Sequence, residues 1–235
     1  MEKLSLPVLF GLLVLIVLLQ AFLFMWLTRS TRARRLSAKL MDASQANDFE
    51  KFKKLSEGLT AKQVLGKLEL CYEQLQFYSM NNKETEMDLL LERVFKLNVD
   101  PKKKRSLMIQ MWRYYMDNGN QEKVERLAAE LKKIYDLENN TKAKDYLEFM
   151  MNIYIYADNK MEAELFKLIK EHEGEKKILY QQHLASLYLK QGEDKKALKL
   201  LESVKENSSS KLMIESLIFQ LKQRNKKKGK NTSSQ

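Results

Sequence analysis

Two histidines, one cysteine and a recurring set of tyrosines are the side chains here whose types could support chemistry. His172 lies in Glu171-His172-Glu173-Gly174, a grouping from which an imidazole and carboxylates could hold a transition metal. No third ligand stands at a suitable spacing, and His183 follows eleven residues later across an expected turn. A histidine in the last turn of a helix, just ahead of a glycine stop, meets the negative end of the helix dipole, and that is our reading of His172. Cys71 is the only cysteine, so neither an intramolecular disulfide nor a cysteine-held metal cluster can form; it reads as a small buried apolar residue. The sequence contains no HExxH, Walker loop, GxGxxG or GxSxG. Tyr114, Tyr115, Tyr154 and Tyr156 recur at helical spacing and read as core or groove wall rather than as a stacking platform for bases. No catalytic residue, cofactor or metal site is expected, and we expect a protein that is not an enzyme.

The elements that hold these residues are helices. Seven glycines and two prolines are few for 235 residues, and the Leu, Lys, Glu, Met and Ala that dominate favour helix over sheet. The net charge of +11 would suggest nucleic acid if it were spread along the chain. It is concentrated instead: Arg29, Arg32, Arg34, Arg35 and Lys39 carry five uncompensated charges, and Lys222, Arg224, Lys226, Lys227, Lys228 and Lys230 carry six, leaving residues 40–221 balanced. A neutral middle speaks against nucleic-acid binding across the domain.

Residues 4–27 hold no charge, and at about 1.5 Å per residue they would span roughly 36 Å, more than a hydrocarbon core of about 30 Å needs. Pro7 falls in the first turn, where its missing N–H costs little, and Trp26 falls where a headgroup layer would be. Phe22 to Trp26 occupy the place where a signal peptide would carry small residues for cleavage, so an uncleaved transmembrane helix is expected. The basic segment 28–39 predicts an outside amino terminus and a cytoplasmic soluble part.

A repeat runs through the rest. In Leu184 to Leu201 two helical stretches meet at Gly192, with Tyr188 four residues before it, Leu184 eight before, Ala197 five after and Leu201 nine after. The spacing recurs around Gly119 (Met111, Tyr115, Val124, Ala128), around Asp158 (Met150, Tyr154, Ala163, with Phe166 for the last apolar residue), around Asn82 (Tyr78, Met87, Leu91, with Leu75 one residue out of place) and, least completely, around Asn47 (Phe52, Leu55). These centres are 34 to 39 residues apart, the period of a helical hairpin. Asp100-Pro101 closes one unit and opens the next. The pattern resembles the tetratricopeptide repeat, over about residues 40–222, with 211–222 as a capping helix that covers the last hairpin through Leu212, Met213, Leu217, Phe219 and Leu221. Residues 223–235 form a polar, basic tail expected to be disordered. The fold class expected is therefore all-α: a transmembrane helix followed by an α-solenoid of antiparallel hairpins.

The resemblance implies a concave groove lined by the first helix of each hairpin. Matching its positions brings forward Tyr72, Gln76, Met80, Ile109, Arg113, Met116, Asn152, Tyr156, Gln182, Ser186 and Lys190. The mixture of aromatics and methionines with few cations suits an apolar or helical peptide. The expected function is a scaffold or adaptor that binds a protein partner at the cytoplasmic membrane face. The alternative is an adaptor that tethers anionic lipid or RNA through the basic flanks.

Overall fold

A computed structural model describes residues 6–205, 211, 214, 215, 217–219, 221 and 222, with side chains described from residue 15. Eleven helices follow one another: α1 (Leu6–Gln45), α2 (Phe49–Glu57), α3 (Leu59–Val64), α4 (Lys67–Met80), α5 (Glu84–Phe95), α6 (Pro101–Asp117), α7 (Gln121–Leu137), α8 (Thr141–Tyr154), α9 (Lys160–Glu171), α10 (Gly174–Lys190) and α11 (Asp194–Val204). The described positions from 211 to 222 are also helical, and no strand occurs among the described residues. The chain is an all-helical array compatible with helical repeats. It divides into two compact units, Met1–Met111 and Trp112–Gln235, the division falling inside α6.

One turn geometry recurs and explains the repeat. Asn47, Asn82, Gly119, Asn139 and Gly192 all adopt positive φ, between 49° and 78°, which Gly and Asn tolerate best. After each, the next backbone N–H donates to the carbonyl five residues back: Asp48 to Ala43, Lys83 to Tyr78, Asn120 to Tyr115, Asn140 to Tyr135 and Glu193 to Tyr188, at 2.8 to 3.0 Å. This is the Schellman closure, which satisfies carbonyls a helix end would leave bare. At three of these turns the same residue starts the next helix: Asp48, Asn120 and Asn140 accept from the backbone of Lys51, Lys123 and Ala143. A Cβ added at Gly192 would meet no atom within 4 Å, so Gly192→Ala tests backbone conformation alone. It is expected to lower the stability of the second unit by about 1 kcal/mol in chemical denaturation, with Gly192→Asn recovering most of the loss.

The fourth turn departs from the spacing. Ala157, not Asp158, takes the positive φ (49°), so the buried positions that follow are Met161 and Leu165, while Ala163 and Phe166 are exposed. Met161 follows Tyr154 by seven residues, where Met87, Val124 and Ala197 follow Tyr78, Tyr115 and Tyr188 by nine, so the connection is two residues shorter and α9 is rotated relative to the expected register, each residue turning a helix face by about 100°.

In the first unit α1 packs on α2 and α3, and α4 on α5. Leu36, Leu40 and Ala43 bury one stripe of α1. Phe52 on α2 stacks on Phe77 of α4 with centroids 3.9 Å apart and meets Tyr78 edge-on; all three rings are almost fully buried. Beside them lies a polar pair, the buried Gln74 amide donating to the Ser56 hydroxyl at 3.2 Å. These two occupy repeat positions that are apolar in other hairpins: Gln74 stands where Met111 and Leu184 stand, and Ser56 where Ala128 and Leu201 stand.

In the second unit α10 is central, packing on α8, α9 and α11. Ile153, Met161, Leu165, Leu184, Leu187, Tyr188 and Ala197 form its core. A further cluster covers the end with Ala185, Leu201, Val204, Ile214, Ile218 and Leu221. The capping expectation holds for Leu221 and for half-buried Leu217, but Phe219 points outward and Ile214 and Ile218 do the covering. Leu212, Met213 and the expected tail 223–235 lie outside the described residues.

The first helix runs without interruption from Leu6 to Gln45, through both boundaries read from the sequence at 27/28 and 39/40. Among the described residues no helix is long and apolar enough to cross a membrane. The described apolar part, Leu15 to Leu27, gives about 20 Å of helix at about 1.5 Å per residue. The rest of the expected span, residues 4–14, lies outside the residues whose side chains are described.

Candidate functional site

In each unit a cleft gathers residues expected to line a groove. In the first, α1 and α4 form a cleft of about 470 Å³ over Phe52 and Phe77. Met41, Ser44 and Gln45 supply the α1 wall, and Glu73, Gln76 and Met80 the α4 wall. Met41 and Met80 are both well exposed, at 59% and 70%, so two flexible thioethers flank an aromatic floor. Partial burial pushes the Glu73 carboxyl above its ordinary value.

In the second unit a cleft of about 360 Å³ lies between α7 and α8 and includes Asn152, Tyr156, Ala128 and Met151. An ion pair closes one side, Lys132 Nζ to Glu148 Oε1 at 2.6 Å. The hydrogen bond and charge of Lys132 hold the Glu148 carboxyl below its usual range. The Tyr156 ring is half exposed, and its hydroxyl is pushed up by desolvation and by Glu125.

The other expected groove residues distribute as follows. Arg113 and Lys190 are exposed, and Lys190 Nζ reaches the turn at Gly119, 3.9 Å from where a Cβ would stand there. Tyr72, Ile109, Gln182 and Ser186 are half-buried and line neither cleft. Met116 is a correction: it is buried at 6% and cannot meet a partner. Counting back from each turn gives the reason. Met80, Tyr156 and Lys190 stand two residues before Asn82, Asp158 and Gly192, whereas Met116 stands three before Gly119 and so turns inward. Exposed Asp117 holds the equivalent place.

The same count recovers what the sequence reading left out. Ten, six and two residues before Asn47 stand Ser37, Met41 and Gln45, all lining the α1–α4 cleft. The weak repeat signal around Asn47 hid them, and Ser37 lay besides in residues 28–39, which read as a basic segment rather than as part of a hairpin. Glu148, ten residues before Asp158, is found in the same way.

The histidines have structural partners. His172 caps the end of α9, with Nδ1 3.0 Å from the Leu168 carbonyl. His183 is buried on α10, shares a 2.8 Å hydrogen bond with the Tyr154 hydroxyl through Nδ1, and lies edge-on to Phe149 and Tyr154. Its pKa is lowered to about 4 by burial. Tyr188 donates to Glu162 at 2.6 Å, and desolvation together with that carboxylate pushes its ionisation well up. Cys71 is buried, which raises its thiol pKa despite the nearby Arg93. Among the described residues no three His, Cys, Asp or Glu side chains are grouped to hold a metal. Compared with protein-family models, with curated proteins and with solved structures, the chain finds no match.

Proposed function

We propose that this protein is a non-enzymatic, membrane-anchored scaffold whose tetratricopeptide-like hairpins hold an apolar or amphipathic helical segment of a partner protein in the α1–α4 cleft. The observation that carries this reading is the continuity of α1. Its apolar residues Leu15 to Leu19 and Phe22 to Leu27 are exposed all around the helix, and a helix apolar on every side needs a bilayer or a partner to cover it. The uncharged sequence continues through residues 4–14, which supports a single span over 4–27. The basic flank supports a cytoplasmic soluble part. The same helix then supplies Met41 and one wall of the cleft, bringing a bound partner to the membrane surface.

Two measurements test the two halves of the proposal. Flotation of the full chain with neutral phosphatidylcholine vesicles reads the anchor, and Leu18→Arg with Leu19→Arg is expected to reduce floated protein at least tenfold. That expectation follows from about 2.5 to 3.5 kcal/mol per arginine at a helix centre; undiminished flotation would remove the anchor. Pull-down from membranes reads the cleft: Met41→Glu with Met80→Glu is expected to abolish recovery of the partner seen with wild type. Tyr156→Ala with Arg113→Glu applies the same test to the second unit. Unchanged recovery with both pairs would remove peptide binding from the account. A carboxy-terminal tag is expected to be protease-protected in intact cells.

A further inference from the structure

A second recess in the first unit, separate from the partner cleft, is lined by five basic side chains. Arg32, Arg35 and Lys39 on α1 face Lys51 and Lys54 on α2 across a pocket of about 580 Å³. The helical spacing explains the gathering: the three α1 residues follow one another at intervals of three and four, as neighbours on one face do, and the two α2 residues are three apart. Packing of Leu40, Ala43 and Phe52 between the helices sets the two basic faces opposite each other. No acidic residue lines the pocket, and none of the five cations has an ion-pair partner among the described residues. Glu50, Glu57 and Asp42 occur on the same helices but outside the lining. Leu36 and Leu55 give the recess an apolar wall, and Thr60 adds a hydroxyl.

Five like charges held together repel one another unless an anion joins them. We infer that this pocket binds the phosphate-bearing headgroup of an anionic phospholipid. The inference rests on the anchor reading for the choice of source. Arg32 follows Leu27 by five residues, about 7.5 Å of helix, which is close to the depth of one headgroup layer, about 5 to 7 Å. Arginine offers paired N–H donors to phosphate oxygens, and lysine a mobile point charge.

The test uses the full chain in detergent micelles containing equal amounts of phosphatidylglycerol and phosphatidylcholine, read by native mass spectrometry. Wild type is expected to retain phosphatidylglycerol at least fivefold over phosphatidylcholine. Arg35→Gln with Lys54→Gln, and separately Lys39→Gln with Lys51→Gln, should each erase that preference while leaving the helical circular dichroism unchanged. Arg29→Gln with Arg34→Gln removes the same charge outside the pocket and should keep it. Equal retention of the two lipids by wild type, or equal loss in the control pair, overturns the pocket. Inorganic phosphate supplied alone separates the sources: phosphate binding without lipid preference overturns the lipid assignment. Flotation with phosphatidylcholine vesicles reads the anchor independently, so a chain that retains phosphatidylglycerol without floating sinks the anchor and leaves the pocket standing. A chain that floats without lipid preference does the reverse.

Discussion

Replacing Phe52 with alanine is expected to destabilise the first unit by about 3 to 5 kcal/mol, the range for truncating a fully buried aromatic ring. Phe52 is 1% exposed, stacks on Phe77 at 3.9 Å and meets Tyr78 edge-on, so its removal leaves a cavity bordered by two rings that cannot both move into it. Such a loss is comparable to the whole stability of a small domain. Hydrogen exchange is the suitable readout, since it reports α2 and α4 separately from the second unit: their amides should lose several hundredfold protection, which is about 3 to 4 kcal/mol at 1.4 kcal/mol per tenfold. Phe52→Leu fills part of the space and should cost less than half as much. If Phe52→Ala leaves exchange in α2 and α4 unchanged, the stack does not hold the unit together.

The second large effect is on pH dependence. His183 is buried with its pKa lowered to about 4 from an ordinary 6.5, so the unfolded chain takes up its proton before the folded one does. Stability from this site is complete above pH 6.5 and is lost as pH falls from there toward 4. The full difference is roughly 3 kcal/mol, of which about 2 kcal/mol is gone by pH 5, before most carboxylates begin to titrate. Protonation makes both ring nitrogens donors, so the Tyr154 hydroxyl, 2.8 Å from Nδ1, can then only accept from the ring. Urea denaturation of the second unit at pH 7.5 and pH 5 should show this loss in wild type and a much smaller one in His183→Gln. An equal loss in both would mean that other groups carry the acid sensitivity.

How much of this was legible beforehand depended on where backbone chemistry and side-chain pattern agreed. Gly119 and Gly192 announce positive φ, and Tyr115 and Tyr188 stand four residues before them, so both hairpins could be read from spacing alone. Around Asn82 the apolar count drifts by one, because Gln74 fills an interior position in partnership with Ser56; a polar pair that satisfies itself cannot be seen in a hydrophobic pattern. Ala157 takes a left-handed conformation that alanine does not advertise, and the register of α9 was misjudged in consequence. For the candidate site, Gln76, Met80, Asn152 and Tyr156 were found by register. Met116 failed by a single residue, and the α1 wall of the cleft was missed because the repeat spacing is least complete around Asn47. The basic pocket was equally hidden, since Lys51 and Lys54 join Arg32 and Arg35 only after α2 folds back.

An unjointed rod behaves as a lever. With α1 in one piece from Leu6 to Gln45, no hinge separates its oily half from the stretch bearing Met41, and whatever tips the former must swing the latter. On the anchored reading proposed above, a tilt of the span would swing Met41 together with α2 and α3, which pack beside it, as one arm.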